Sequence, residues 1–263
     1  LCAPHLHEEF MADTNYKGAT LVRPLVLAVD LDETFAAGDG SNRETLFSVL
    51  EAHADDVRLI YMSHDSAENL IGIAADAELP VPAVFMADSG TTVLKGDGTG
   101  TIEPIQRNII QLWPGKEAVA KAIAEVDGVT AIDDEAPCRQ GVKVEGDEAL
   151  EALRVKADSL GCHLDRRGEG EWNILPFGVD KGTTLGRYVV EQNLAPNAVL
   201  AIAEHTGDDC LFGRGWRGGV FAHADSELKE FGDRFHNVTV LEKSGAAGVL
   251  DALRSQGWLE LAK

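Results

Sequence analysis

Short apolar runs alternate with amphipathic segments over much of the chain. The run Leu25–Asp30 is apolar up to its last residue, and Val57–Met62, Val81–Met86 and Ala198–Ala203 are similar. Such short runs, rich in aliphatic and β-branched residues, are typical of buried strands in a parallel sheet. The segments between the first three runs have helical character, and an order of β-α-β-α-β predicts a doubly wound parallel sheet with right-handed crossovers.

Capping signals mark the starts of the two helices in this part of the chain. Ser41 with Glu44, and Asp65 with Glu68, have the three-residue spacing of a capping box. The same alternation of strands and helices returns after Pro176. We therefore expect the second half of the chain to complete the sheet that the first half begins.

Helix starts in the returning part are predicted at three places. They are Lys181, the residue after Asp225 and the residue after Ser244.

The middle of the chain has a different pattern. A turn cluster is followed twice by a helical segment and two strand-like segments. The second pair of strands, Cys162–Arg166 and Glu171–Leu175, is predicted to form a hairpin around Gly168 and Gly170. Because an order of helix, strand, strand cannot continue a parallel sheet, this stretch is predicted to be an inserted α+β domain.

The predicted domain organisation is a split core around this insert. Residues 21–90 and 176–263 form the α/β core, and residues 91–175 form the inserted α+β domain, a cap over the core. Residues 1–20 are read as an N-terminal extension. Either the first residue or Met11 is the expected native start.

Composition narrows the classes of function. The 263 residues include 44 Asp and Glu against 23 Lys and Arg, a net charge of −21. Nucleic acid is therefore not an expected partner, because binding to phosphate backbones needs clustered cations. The chain has no apolar run of membrane-spanning length, and its first ten residues lack the hydrophobic region of a signal peptide.

The cysteines support a reducing compartment. None of the four has the paired spacing of a zinc site or of a disulfide framework; they are Cys2, Cys138, Cys162 and Cys210. We therefore expect a cytoplasmic protein that does not interact with membranes.

Polar residues with chemical potential follow the predicted strands or begin the predicted helices. In chain order they are the pair Asp30 and Asp32, then Ser63, then Lys181, then an acidic group of Glu204, Asp208 and Asp209. Ligand sites of parallel sheets lie where strands end at their carboxyl edge. Two carboxylates that are close together favour either a shared proton or a bound cation.

The identity and order of these clusters resemble the haloacid dehalogenase superfamily of phosphotransferases. Within it, the chain is most similar to large-capped sugar-phosphate phosphatases, such as the sucrose-phosphate and mannosyl-phosphoglycerate phosphatases. Asn173–Thr183 resembles their return from cap to core, and Gly90 with Thr91 resembles the start of their cap. The resemblance covers nearly the whole chain from about residue 21.

The resemblance implies a role for each cluster. Asp30 would be the nucleophile that forms an aspartyl-phosphate, and Asp32 the general acid and then the general base. Ser63 would donate a hydrogen bond to the phosphoryl group, and Lys181 would supply positive charge. Mg²⁺ is the implied cofactor. Its implied ligands are Asp30, the carbonyl group of Asp32, Glu204 either directly or through water, and Asp208, with Asp209 as the alternative to Asp208.

Cationic residues of the insert are candidate contacts for the rest of a small phosphorylated substrate. They are Arg139, Lys143, His163 and Arg166. The alternative for each is an ordinary solvent-exposed position.

Three positions depart from the family pattern. Glu204 stands where relatives usually have the aspartate of a Gly-Asp pair, His64 and Asp65 follow Ser63 where relatives often have Gly-Arg, and Glu33 stands where phosphatases commonly have glycine. The main expectation is a Mg²⁺-dependent phosphatase of a small phosphorylated sugar. A sugar phosphomutase and a non-catalytic sugar-phosphate-binding protein remain alternatives, and the sequence leaves monomer and homodimer open.

Overall fold

The computed structural model describes residues 24–31, 40–133 and 135–258. The helices in these ranges are α1 (Gly40–Ala52), α2 (Ala67–Asp76), α3 (Ile105–Leu112), α4 (Lys116–Ala124), α5 (Asp147–Ser159), α6 (Lys181–Glu191), α7 (Ser226–Gly232) and α8 (Gly245–Ser255). Short 3₁₀ helices lie at Asp88–Gly90, Pro196–Ala198 and Thr206–Leu211. None of the helices described is long and apolar enough to cross a membrane.

The strands form two sheets. They are β1 (Leu25–Asp30), β2 (Val57–Met62), β3 (Val84–Ala87), β4 (Thr92–Lys95), β5 (Val129–Ala131), β6 (Gln140–Val144), β7 (Cys162–Gly168), β8 (Glu171–Pro176), β9 (Val199–Ala203), β10 (Arg217–Val220) and β11 (Val238–Val240). In the described ranges, one sheet has the order β11-β10-β9-β1-β2-β3-β4 and the other β5-β6-β8-β7. The first is parallel except for β4, which runs antiparallel to β3, and the second is antiparallel throughout.

Strand β1 lies in the middle of the large sheet and is buried on both faces. Leu27 and Val29 pack into the core on one face of the sheet, and Val26 and Ala28 pack into the core on the other. Successive side chains of a strand point to opposite faces, so a continuous apolar run is needed where helices cover both faces. The α/β class and the doubly wound arrangement predicted from the apolar runs are confirmed.

The small sheet has its own core. We call residues 116–176 the small module and the other described residues the large module. Val119 of α4 and Leu153 of α5 pack against Val142 and Ile174 on one face of the small sheet. The predicted order of helix, strand, strand, repeated once, is confirmed in this module.

Several element boundaries differ from the prediction. The third strand begins at Val84 instead of Val81, and helix α2 is capped by Ser66, whose hydroxyl accepts a hydrogen bond from Asn69 N, instead of by Asp65. Ser41 lies inside α1 and does not precede it. Local spacing identified the helices, but the capping residue depends on the backbone conformation at the helix start.

The part of the large module that leads into the small module contains two elements that the sequence pattern did not predict. Strand β4 pairs with β3 at the edge of the large sheet, and Ile105 and Ile109 of α3 pack into the core of the large module. The change from one sheet to the other therefore falls after α3, although the predicted insert begins at residue 91. The limits of the two domains stay a prediction.

Candidate active site

Three candidate residues meet at the carboxyl edge of the large sheet. Asp30 is the last residue of β1, Ser63 follows β2, and Glu204 follows β9. Strand β1 pairs with both β2 and β9, so the parallel register brings the three strand ends together. All three residues are at most 7% exposed. Asp32 lies outside the described residues.

Lys181 reaches this edge from the first turn of α6. Its Nζ lies 3.0 Å from Oδ1 of Asp30 and also forms an ion pair with Oδ1 of Asp208. A Cβ on the next residue, Gly182, would lie 2.0 Å from the carbonyl oxygen of Cys210. Glycine therefore lets α6 approach the 3₁₀ helix that carries Asp208.

These contacts set the charges of the site. Burial and the neighbouring Asp208 raise the pKa of Asp30 to about 7, although Lys181 and His64 oppose the shift. Burial also acts to raise the pKa of Asp208, but Lys181 and His64 hold it well below its usual range. Burial acts to lower the pKa of Lys181, but Asp208 and Asp30 outweigh it and raise that pKa. Near neutral pH, Lys181 and Asp208 therefore form a stable ion pair, and the neighbouring carboxyl of Asp30 changes its protonation state.

Asp208 organises the loop after β9. Its Oδ2 accepts hydrogen bonds from the backbone N–H groups of Glu204 and His205, both at 3.0 Å, and its Oδ1 faces Lys181. Both carboxylate oxygens are thus engaged by groups of the chain itself. Asp209, the other acid of this stretch, is exposed.

Glu204 is held by a histidine that the sequence analysis did not identify. Nε2 of His223 lies 2.5 Å from Oε1 of Glu204, and Nδ1 of His223 lies 2.5 Å from Oγ of Ser244. The glutamate is 3% exposed. No spacing in the sequence connects His223 with Glu204, because the two residues meet only when β9 and β10 pair in the sheet.

The geometry fits a divalent cation. Asp30, Glu204 and His205 each offer one ligand atom, and these atoms lie within 4.8 Å of one another. Two buried carboxylates with one cationic neighbour favour a further positive charge, and carboxylate oxygens suit Mg²⁺, whereas an imidazole suits transition metals. Among the described residues, Asp30 and Glu204 are therefore the carboxylates that could hold such a cation. In the part of the chain that the structure describes, Asp208 and Asp209 lie outside this set, and their binding of a metal stays a prediction.

Ser63 is placed to contact an anion. Its Oγ accepts a hydrogen bond of 3.0 Å from the N–H of Asp65. A hydroxyl accepts and donates at the same time, so Ser63 can still donate its proton to a phosphoryl oxygen.

The four cationic residues predicted in the insert have different surroundings. Arg139 is buried, donates to the carbonyl oxygen of His64 and lies 3.3 Å from Asp88. Nη1 of Arg166 donates to Glu227 over 2.8 Å. These two arginines therefore connect the small module to the large one, a role that local sequence does not reveal.

The other two predicted contacts do not join the modules in this way. The side chain of Lys143 is 64% exposed and lies 3.3 Å from Glu171 on the neighbouring strand. His163 packs edge-on against Phe177, with ring centroids 6.3 Å apart. Their contacts with substrate stay a prediction.

The open face of the small sheet lies against the site. Asp165 of β7 and Asn173 of β8 are paired residues in the sheet register. Oδ2 of Asp165 lies 3.7 Å from Nδ1 of His64, and Nδ2 of Asn173 donates to Ser89 over 2.9 Å. Burial raises the pKa of Asp165. The alternation of apolar and polar residues in the hairpin was the available signal for this face.

Sequence comparison relates the chain to proteins of phosphorylated sugars. Residues 23–256 match the family described as sucrose-6F-phosphate phosphohydrolase. A glucosylglycerol-phosphate synthase of Pseudomonas anguilliseptica is 30% identical over 239 residues. The match covers 89% of this chain and 31% of that protein, so the chain spans about a third of the curated relative's length.

Structural comparison finds the same fold in solved hydrolases. The sucrose-phosphatase of Synechocystis, solved with sucrose and phosphate, superposes with a TM-score of 0.78 at 17% identity, over 89% of this chain and 98% of that one. A haloacid dehalogenase-like hydrolase of Bacillus subtilis gives a TM-score of 0.66 at 16% identity, over 90% and 93%. The predicted resemblance to the sucrose-phosphate phosphatases is confirmed, the fold is that of haloacid dehalogenase-like hydrolases, and the chain belongs to the sucrose-6F-phosphate phosphohydrolase family.

Proposed function

We propose that the chain is a Mg²⁺-dependent phosphatase that hydrolyses the phosphate monoester of a small sugar or glycoside through an aspartyl-phosphate at Asp30. One observation carries the proposal. A buried carboxylate at the end of the central strand is held by a buried lysine, which is itself fixed by a second carboxylate, Asp208. Family membership supports the substrate class.

The contacts of Asp30 suit a nucleophile. Lys181 engages Oδ1, which leaves the second oxygen of the same carboxylate to attack phosphorus. The positive charge also favours the ionised form of Asp30, which is the form that reacts. Ser63 would donate a hydrogen bond to the phosphoryl group as it moves.

The reaction has two steps that balance. In the first, an oxygen of Asp30 bonds to phosphorus, the bond to the sugar oxygen breaks, and that oxygen takes a proton from Asp32. In the second, Asp32 takes a proton from water, and the resulting oxygen attacks phosphorus and releases Asp30. A Mg²⁺ ion held by Asp30 and Glu204 would neutralise charge on the phosphoryl oxygens. The role of Asp32 rests on the family pattern.

The names of the relatives narrow the proposed substrate. The family name contains a sucrose phosphate, and the curated relative is named for glucosylglycerol phosphate. Both names denote a glycoside that carries a phosphate ester. We therefore expect a phosphorylated glycoside to be a better substrate than a phosphorylated monosaccharide.

Phosphate release from a substrate panel tests the function. The panel contains sucrose 6F-phosphate, glucosylglycerol phosphate, glucose 6-phosphate and phosphoglycerate, each with Mg²⁺ or with EDTA. Wild type, Asp30→Asn and the control Asp158→Asn, which makes the same change at an exposed position near the end of α5, are compared. We expect metal-dependent release by wild type and by the control, and none by Asp30→Asn.

Other results would identify a different activity. Transfer of the phosphoryl group to a second hydroxyl of the sugar, with little free phosphate, would indicate a phosphomutase. Binding of a panel compound without any release by wild type, whether Mg²⁺ or Mn²⁺ is supplied, would contradict the proposed hydrolysis.

A further inference from the structure

His64 is a buried residue beside the site that the proposed reaction does not use. It directly follows Ser63 at the carboxyl end of β2 and is 8% exposed. Its Nε2 lies 3.2 Å from Oδ1 of Asp208, and its Nδ1 lies 2.9 Å from Oγ of Ser89. The ring therefore bridges the acid that pairs with the lysine and the segment that leads into the small module.

The partners of the ring determine which nitrogen carries the proton. A carboxylate can only accept, so the shorter contact, with Asp208, favours the proton on Nε2 over Nδ1, which lies 3.7 Å from Oδ2 of Asp165 and can accept from Ser89. Ser89 then donates its hydroxyl proton to Nδ1, and the same hydroxyl accepts from Nδ2 of Asn173 over 2.9 Å. The hydrogen bonds of Asn173 and Ser89 then point the same way, from β8 of the small module towards His64, whose Nε2 lies in contact range of Asp208.

The chain of contacts continues to the nucleophile. Asp208 shares its Oδ1 between His64 and Lys181, and Lys181 reaches Asp30. Asp208 and Lys181 thus lie between His64 and Asp30 in this chain of contacts. Among the contacts described, none joins His64 directly to Asp30 or to Lys181. The contacts that connect His64 with the nucleophile therefore run through Asp208.

The surroundings of His64 depend on the small module. A Cβ on Gly207 would lie 2.3 Å from the carbonyl oxygen of Arg166, in β7, and 3.0 Å from Cε1 of His64. Three segments from the two modules therefore meet in contact at this point. Ser89 has a φ of 58°, which is uncommon for a residue other than glycine, so its hydroxyl is aimed by a specific backbone conformation.

We propose that His64 is a positioning residue that holds Asp208, and through it Lys181 and Asp30, and that this support is complete only when Asn173 of the small module contacts Ser89. The inference rests on the proposed phosphatase function. Closure of the small module would then align the nucleophile as well as cover the site. The family pattern does not supply this device, because relatives often have glycine at the position of His64.

Three substitutions at His64 separate its two contacts. His64→Ala removes both, His64→Gln keeps an amide donor near the place of Nε2, and His64→Asn keeps a polar group only near the place of Nδ1. We expect Ala and Asn to lower kcat on the order of 10- to 100-fold with a small change in KM, because misplacing a reacting group by about 1 Å costs that much. Gln is expected to restore most of kcat. The control is His53→Ala, a partly exposed histidine next to Asp56.

A double substitution tests the link to the small module. If Asn173 acts through Ser89 and His64, Asn173→Ala lowers kcat in wild type but has little further effect in His64→Ala. If the factors by which the two substitutions lower kcat multiply in the double variant, the two residues act independently and the coupling is contradicted. Wild-type kcat in a folded His64→Ala variant would overturn the positioning role and leave the phosphatase function intact.

An unfolding measurement keeps the test independent of turnover. Denaturant unfolding is measured without metal for wild type, His64→Ala, Asn173→Ala and the double variant. The losses in unfolding free energy of the two single variants are expected not to add up to the loss of the double variant. Additive losses would contradict the chain of contacts. Absence of phosphate release by wild type would instead count against the proposed function, so the two failures are distinguishable.

Discussion

At the scale of single residues, the main feature of the site is the carboxyl group of Asp30, which is buried although a carboxylate is more stable in water. Asp30 is 3% exposed, and its partners are one lysine and a second carboxylate. Burial of a charge is costly unless it is paired, and a single lysine has to serve two acids here. A cation bound beside Asp30, or a phosphoryl group transferred to it, would therefore offset the cost of burying its charge.

The first prediction concerns pH and Asp30→Asn. Since the pKa of Asp30 is raised from 3.8 to about 7 in the folded chain, the folded state keeps a proton that the unfolded state loses. The stability from this group is full below pH 3.8 and is lost as pH rises through about 7. In EDTA, the Tm of Asp30→Asn is expected to exceed that of wild type by more at about pH 8 than at about pH 5. An equal gap at both values would contradict the raised pKa.

The second prediction concerns the glycine between the modules. Gly207→Ala would place a methyl group 2.3 Å from the carbonyl oxygen of Arg166, so the strand or the loop has to move. We expect lower stability and lower kcat. The matched control is Gly72→Ala in α2, where nothing lies within 4 Å of the new Cβ and the change is expected to stabilise by about 0.5–1 kcal/mol. Denaturant unfolding measures both, and a neutral Gly207→Ala would contradict the close contact.

The residues at strand ends were predictable from the sequence, and those joining the modules were not. Asp30, Ser63 and Lys181 follow apolar runs or begin a helix, and the parallel sheet brings such positions together. The contacts of Arg139 and His64 depend on how one module rests on the other. No local spacing reports that arrangement.

At the scale of elements, helix α6 positions the lysine. Its N-cap, Asp180, accepts hydrogen bonds from the N–H of Thr183 at 2.6 Å and from its hydroxyl at 2.7 Å. Arg214 lies 3.2 Å from the same carboxylate. Lys181 is the first residue after this cap, so the cap determines where its backbone begins.

The third prediction follows from this cap. Asp180→Ala is expected to lower the free energy of unfolding by about 1 kcal/mol and also to lower kcat, because the backbone of Lys181 loses its anchor. Ser66→Ala removes the N-cap of α2 and is expected to cost about the same stability with kcat nearly unchanged. Chemical denaturation and phosphate release measure the pair. Equal kcat losses in both variants would show that the effect is general destabilisation.

Elements with strong patterns were predicted, and weakly patterned ones were missed. The hairpin Cys162–Gly168 with Glu171–Pro176 had alternating residues and glycines at its turn. Strand Thr92–Lys95 has four residues beside a turn cluster, and helix Ile105–Leu112 has eight. Elements this short gain their stability from packing on the large module, so their own sequences carry little signal.

At the scale of the whole molecule, ion pairs connect two modules that each have a core of their own, although Cys138 of the small module packs into the core of the large one. Arg139 with Asp88 is buried, whereas Arg167 lies 2.7 Å from Asp65 at a partly exposed position. Apolar contacts dominate within each module, and the polar face of the small sheet covers the carboxyl edge of the large one. Fold class and family were evident from the chain, but this interface required the structure.

The fourth prediction tests the buried pair at this interface. Arg139→Met keeps much of the side-chain volume but leaves the carboxylate of Asp88 without this arginine's charge in a buried position, so a loss of about 3–5 kcal/mol in unfolding free energy is expected. Arg154→Met makes the same change at an exposed pair with Glu151 and is expected to alter stability by less than about 0.5 kcal/mol. Similar small effects in both variants would contradict the structural role of Arg139.

Trapping the proposed aspartyl-phosphate at Asp30 tests the proposed function most directly. Wild type is mixed with the best substrate of the panel and Mg²⁺, then treated with borohydride, which reduces an acyl phosphate of aspartate to homoserine. Peptide mass spectrometry then reads position 30. We expect homoserine at position 30 in wild type, and an unchanged residue there in Asp30→Asn or without substrate. Substrate hydrolysis by wild type with no reduction at Asp30, or continued hydrolysis by Asp30→Asn, would contradict it.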